Sequence, residues 1–159
     1  MGRLNQSSMT KLGQVDKRLQ AIVTVAVAKV PFDCVISEGL RTLEQMKINY
    51  GKGRTAAQCA AKGIEARYAQ PSLPQVTWLK NPLKSKHGDG KAVDIYPLVD
   101  GKLADGRKNA NLYDALYHAM MGAAAELKTR IRYGGDWDED GKLHEKGETD
   151  SVHFELSGD

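Results

Sequence analysis

Two short stretches rich in metal-donor side chains, residues 85–94 and 150–156, constrain this chain more than anything else in it. In Ser85-Lys-His-Gly-Asp-Gly-Lys-Ala-Val-Asp94, His87 and Asp94 can each offer a cation a lone pair. Gly88 and Gly90 between them let the backbone turn sharply. From Lys91 to Tyr96 the pattern alternates, with Ala92, Asp94 and Tyr96 on one face and Val93 and Ile95 on the other, which predicts a strand. Asp150-Ser-Val-His-Phe-Glu-Leu156 alternates too. Val152, Phe154 and Leu156 face a core, and Ser151, His153 and Glu155 face the other way, so His153 is expected on an open sheet face.

A lone histidine on a strand is ordinarily a surface residue. Two histidines, each beside carboxylates, with glycines where a tight turn needs them, are a different matter. Two imidazoles, one carboxylate and an open fourth position describe a catalytic zinc site held by His87, Asp94 and His153. Asp150, three residues before His153, is placed to act as general base. The other two histidines serve as controls. His118 has Asp114 one helical turn before it, a structural pair, and His144 lies in a charged loop and reads as solvated.

Ser-x-His-x-x-Gly-x-Ala-x-Asp followed by Asp-x-x-His resembles the zinc peptidases of the D-Ala-D-Ala carboxypeptidase/dipeptidase family, and within it the phage endolysins that are L-alanyl-D-glutamate peptidases. Ser37-Glu-Gly-Leu-Arg-Thr-Leu-Glu-Gln45 is similar to that family's Gly-x-Arg-[Ser/Thr] segment, with Arg41 at the arginine position. The resemblance spans roughly residues 10–156. It implies a peptidoglycan hydrolase that cuts the L-Ala–D-Glu bond of the stem peptide through a metal-activated water. Asp150 would be its base, Arg41 would steady the oxyanion, and Ser85 would bind substrate or support the turn. It also implies release to the wall by a holin-like partner; synthesis in the host cytoplasm and action as a monomer are further expectations. Two alternatives remain at this stage: a D-Ala-D-Ala peptidase of the same fold, and a zinc-stabilised wall-binding module without turnover.

At 159 residues the chain is expected to form a single domain over 1–159 that buries about 70% of its unfolded surface. Its polar start, Met1-Gly-Arg-Leu-Asn-Gln-Ser-Ser, has no signal-peptide character, and no apolar run is long enough to span a membrane. Cys34 and Cys59 form no C-x-x-C and read as free thiols. A net charge of +3, with basic and acidic residues interspersed, argues against nucleic-acid binding.

Helical periodicity predicts a first helix over 10–28, capped by Ser7, Ser8 or Thr10. A strand over 32–37 and a helix over 42–49 follow. Residues 51–86 are too long for a bare loop and are expected to hold some ordered structure. Asp100-Gly101 signals a hairpin. A helix over 112–128 presents Leu112, Leu116, Ala119, Ala123 and Leu127 to the core, and Ile131 starts another strand. Hairpins outnumber strand–helix–strand units, which predicts an α+β fold with a mainly antiparallel sheet packed against helices.

One further motif lies outside the peptidase pattern. Asp136-Trp-Asp-Glu-Asp-Gly-Lys-Leu143 reads like the first half of an EF-hand loop, with Asp136, Asp138 and Asp140 as candidate calcium ligands. The glutamate expected at the twelfth position is replaced by Gly147, leaving Glu145 or Glu148 as substitutes. Trp137 in the same loop is a candidate substrate contact.

Overall fold

The computed structural model describes residues 1–78 and 80–158. In chain order the elements are α1 (Gln6–Leu12), α2 (Lys17–Lys29), β1 (Cys34–Glu38), α3 (Leu43–Gly51), α4 (Ala56–Ala60), β2 (Ala92–Val99), β3 (Lys102–Leu103), α5 (Ala110–Glu126), β4 (Ile131–Tyr133) and β5 (His153–Leu156). They fall into two compact units. One comprises Met1–Leu40 and the chain from Gly90 onward; the other is Arg41–Asp89.

The larger unit is built on an antiparallel sheet in the order β1-β2-β5-β4, with β3 paired to the far end of β2. One sheet face carries Ile36, Val93, Ile95, Phe154, Leu156, Ile131 and Tyr133 into a core completed by Leu19, Ile22, Val23 and Ala26 of α2 and Leu116, Met120 and Ala123 of α5. Each large side chain fully buried there contributes about 1.5–3 kcal/mol. The buried alanines let α2 and α5 approach closely, and Lys29 and Glu126 pair at 2.6 Å between the two helices. The Asp100-Gly101 hairpin forms as expected. Both residues have positive φ (51° and 76°), as a turn matched to the strand twist requires.

The predicted first helix is instead two. Asn5 caps α1 by accepting from Ser8 N–H, and Asp16 caps α2 by accepting from Arg18 N–H. Asp16 also donates its own N–H to the Gly90 carbonyl at 2.8 Å, so the break supports the chain entering β2. Ser8 caps no helix; its Oγ accepts from Ile36 N–H and ties α1 to β1. On α5 the buried face is Tyr113, Leu116, Met120, Ala123 and Ala124, rotated from the predicted stripe. Leu127 falls just past the helix end and is exposed.

The smaller unit gives the described residues of 51–86 the order expected of them. Tyr50, Cys59, Ile64 and Tyr68 form its own core, around α3, α4 and a 3₁₀ turn at Ala66–Tyr68. Thr55 and Gln58 close a capping box on α4. The buried Arg54 guanidinium lies 3.9 Å over the Tyr50 ring and donates to the carbonyls of Tyr50 and Thr77.

Candidate metal centre

The residues singled out by sequence divide between the units: Arg41, Ser85 and His87 in the smaller, Asp94, Asp150 and His153 in the larger. Within the smaller unit the first three form one cluster. His87 N–H donates to Ser85 Oγ at 3.2 Å, and Gly88 N–H donates to the Ser85 carbonyl at 2.9 Å, closing a tight turn. Arg41 N–H donates to the His87 carbonyl at 2.9 Å, and Arg41 Nη1 reaches Ser85 Oγ at 3.5 Å. Ser85 and His87 are both buried. Ser85 thus holds the turn that carries His87.

Within the larger unit, antiparallel pairing sets Asp94 opposite His153 and Ala92 opposite Glu155. Period-two alternation then puts Asp94, His153 and Glu155 on one sheet face, while Val93 and Phe154 enter the core. His153 Nδ1 lies 3.1 Å from Asp94 Oδ1, and His153 Nε2 lies 2.9 Å from Glu155 Oε1. That face is not open at His153, which is 8% exposed. The Trp137 ring packs 5.2 Å from the imidazole, and the Arg132 guanidinium lies 5.2 Å over the same indole.

Burial alone would favour a neutral imidazole. The hydrogen bonds His153 donates to Asp94 and Glu155, with the charges of Asp94 and Asp150, overcome it and raise the metal-free ring to about 9. Glu155 shows the complement. Burial pushes its carboxyl up, but His153 and Arg132 bring it below the ordinary range. Tyr96 is raised by burial and by the charges of Asp94 and Asp150.

Asp150 stands at the turn before β5, where its carbonyl accepts from His153 N–H at 3.2 Å and its N–H donates to Gly134 at 3.2 Å. The contact depends on glycine: a Cβ at Gly134 would lie 2.3 Å from the Asp150 carbonyl oxygen and 2.8 Å from its Cβ.

In the acidic loop, Asp136 accepts from Asp140 N–H and Gly141 N–H, both at 3.1 Å, and Glu148 accepts from Asp138 N–H at 3.0 Å. Gly141 makes the turn at φ 84°. Carboxylate oxygens of Asp136, Asp138 and Glu148 lie within 4.8 Å of one another, as do those of Asp138, Asp140 and Glu145. Asp140 leads the charges that raise the Glu145 carboxyl. Of the control histidines, His144 is exposed, as expected. Its Nδ1 sits 3.4 Å from Ser151 Oγ and its Nε2 3.7 Å from Asp114, the carboxylate assigned by sequence to His118.

Sequence reasoning assigned no role to Glu155 or Arg132. Glu155 carried a signal, two residues after His153 on an alternating strand. Arg132 carried none, because its partner is fixed by the β4–β5 register.

A family model described as Phage L-alanyl-D-glutamate peptidase matches residues 1–74 and 62–157. The L-alanyl-D-glutamate peptidase of Escherichia phage T5 is 28% identical over 157 residues, covering 97% of each chain. Among solved structures, the L-Ala D-Glu endopeptidase ChiX of Serratia marcescens is similar with a TM-score of 0.62 at 20% identity, over 99% of this chain and 90% of that one. That likeness establishes the mixed helix and antiparallel-sheet fold. The family match runs along nearly the whole sequence and takes in every segment discussed above: this chain belongs to the phage L-alanyl-D-glutamate peptidase family.

Proposed function

We propose that this peptidase is a zinc-dependent endolysin that cuts the L-Ala–D-Glu bond of the peptidoglycan stem peptide. The observation that carries the metal is the Asp94–His153 pair, whose donor atoms lie 3.1 Å apart. Two ligands about 2.0–2.1 Å from one tetrahedral ion are separated by about 3.3 Å, so this spacing suits a shared cation. Imidazole nitrogen with carboxylate oxygen favours zinc over calcium or magnesium. His87 is the third ligand in this reading, supported by the motif it shares with Asp94.

Bound zinc supplies a Lewis acid that brings the pKa of a water toward neutrality. Asp150 takes a proton from the attacking water and returns it to the leaving amine. Arg41 faces the charge that develops on the scissile carbonyl oxygen, with Ser85 holding its guanidinium. Trp137, half-buried beside His153, offers the peptide an apolar wall. The T5 and Serratia relatives are both named for the L-Ala–D-Glu bond, which favours it over D-Ala–D-Ala. In a wall-binding module without turnover, the Asp150 carboxylate would have no proton to transfer.

Among the described residues no helix is long and apolar enough to cross a membrane. Synthesis in the host cytoplasm, release by a holin-like partner and action as a monomer complete the proposal. We also assign Asp136, Asp138 and Asp140, with Glu145 or Glu148 in place of the missing twelfth-position ligand, to a calcium site with a Kd of about 10⁻⁵–10⁻³ M; Glu148 lies with Asp136 and Asp138, and Glu145 with Asp138 and Asp140. Calorimetry on zinc-loaded protein should show calcium heat that an Asp138→Ala/Asp140→Ala variant lacks; no heat in the parent returns the loop to a plain acidic turn. For zinc, chelation should abolish lysis of purified walls and about one equivalent of zinc should restore it. Lysis that persists in verified metal-free protein would sink the metal reading.

A further inference from the structure

We propose that Glu155 is a positioning residue for the metal site: it keeps the Nε2–H of His153, so that the proton released on metal binding is the one on Nδ1 and its lone pair is left facing Asp94, and Arg132 and Trp137 fix Glu155 in that role. The inference rests on the zinc reading above.

A neutral imidazole carries one proton, and its placement decides what the Asp94–His153 pair can do. With the proton on Nδ1, the ring donates to Asp94 Oδ1 at 3.1 Å, and the two donor atoms satisfy each other. With the proton on Nε2, two lone pairs face one another at that distance, an arrangement unfavourable alone and favourable around a cation. Glu155 Oε1, 2.9 Å from Nε2, selects the second form.

The geometry leaves Glu155 little freedom. It pairs in register with Arg132 on β4, and Arg132 Nη2 donates to Oε2 at 3.0 Å, so one carboxylate oxygen goes to the arginine and the other to the histidine. The carboxylate side chain is 7% exposed, a burial that an anion tolerates only with both oxygens engaged. The Trp137 ring touches both ends of this chain of contacts, lying 5.2 Å from the Arg132 guanidinium and 5.2 Å from the His153 ring. A cross-strand Arg–Glu pair with only a structural role would affect stability and nothing else. The arrangement here predicts an effect on which ring nitrogen meets the metal.

The test is ¹⁵N NMR of imidazole-labelled, zinc-loaded wild-type protein, with zinc affinity measured beside it by chelator competition. The expected spectrum shows His153 protonated at Nε2 and metal-bound at Nδ1. Glu155→Gln, neutral and nearly isosteric, should weaken zinc binding about 10–100-fold with its circular dichroism unchanged. Zinc bound through Nε2, or a folded Glu155→Gln protein with wild-type zinc affinity, overturns the role of Glu155 and leaves the zinc reading standing. Wild-type protein that binds no zinc overturns both. The wild-type spectrum decides the matter even where the variant fails to fold.

Discussion

Asp94 and His153 face each other across two antiparallel strands, with Oδ1 and Nδ1 3.1 Å apart and no more than a fifth of either side chain exposed. Register therefore presents two donor atoms at the spacing an ion needs before any ion arrives. His153→Ala or Asp94→Ala should each lower the zinc content from about one per chain to near zero and abolish wall lysis, while His118→Ala, on an exposed face of α5, should change neither. Metal analysis of the purified variants checks this.

The same pair makes the metal-free protein sensitive to pH. The folded His153 pKa of about 9 lies above its ordinary 6.5, so its contribution to stability is complete below about pH 6.5 and is lost as the pH climbs through about 9. Glu155 acts in the opposite sense. Its folded carboxyl lies below the ordinary 4.5, so its contribution is present above that value and fades on acidification. Melting temperatures of metal-free protein should fall at both ends of this window. Zinc loading should remove the alkaline fall and, near neutrality, release a proton that calorimetry in buffers of different ionisation enthalpy detects. A melting temperature that stays flat from pH 6.5 to 9 contradicts the pairing.

Asp150 is assigned to proton transfer and not to metal ligation. Asp150→Asn should keep its zinc and lose about 10²–10⁴-fold in turnover, with Asp150→Glu partly active. Near-native turnover in the Asn variant would leave Asp150 only its place in the turn before β5.

Two glycine substitutions separate positioning from stability. Gly134→Ala drives a Cβ into the Asp150 backbone and should lower both the melting temperature and turnover. Gly122→Ala, on the exposed side of α5 with nothing within 4 Å, should stabilise the protein by about 0.5–1 kcal/mol with turnover unchanged. Thermal melts and lysis rates on both variants suffice.

Much of this centre was legible in the sequence because strand alternation has period two. Knowing that Val93 and Phe154 point inward is enough to place Asp94 and His153 on the opposite face. Pairing partners are a different kind of information. Nothing in one sequence says that Arg132 stands beside Glu155, so the support behind His153 stayed invisible, as did the burial that Trp137 and Arg132 impose on an expected open face. The break between α1 and α2 was missed for a local reason. Apolar periodicity continues through Leu12, Val15 and Leu19, and only the capping bond of Asp16 reveals that the helix restarts. In the acidic loop, the substitute for the missing glutamate was narrowed to Glu145 or Glu148, and both approach the aspartates, with Glu148 the buried one.

The bond that is cut distinguishes an L-alanyl-D-glutamate peptidase from a D-Ala-D-Ala peptidase most directly. Purified peptidoglycan digested with zinc-loaded enzyme and analysed by mass spectrometry should yield stem-peptide fragments bearing a new N-terminal D-Glu, and L-Ala left on the glycan. Release of terminal D-Ala with the L-Ala–D-Glu bond intact would contradict the proposed specificity.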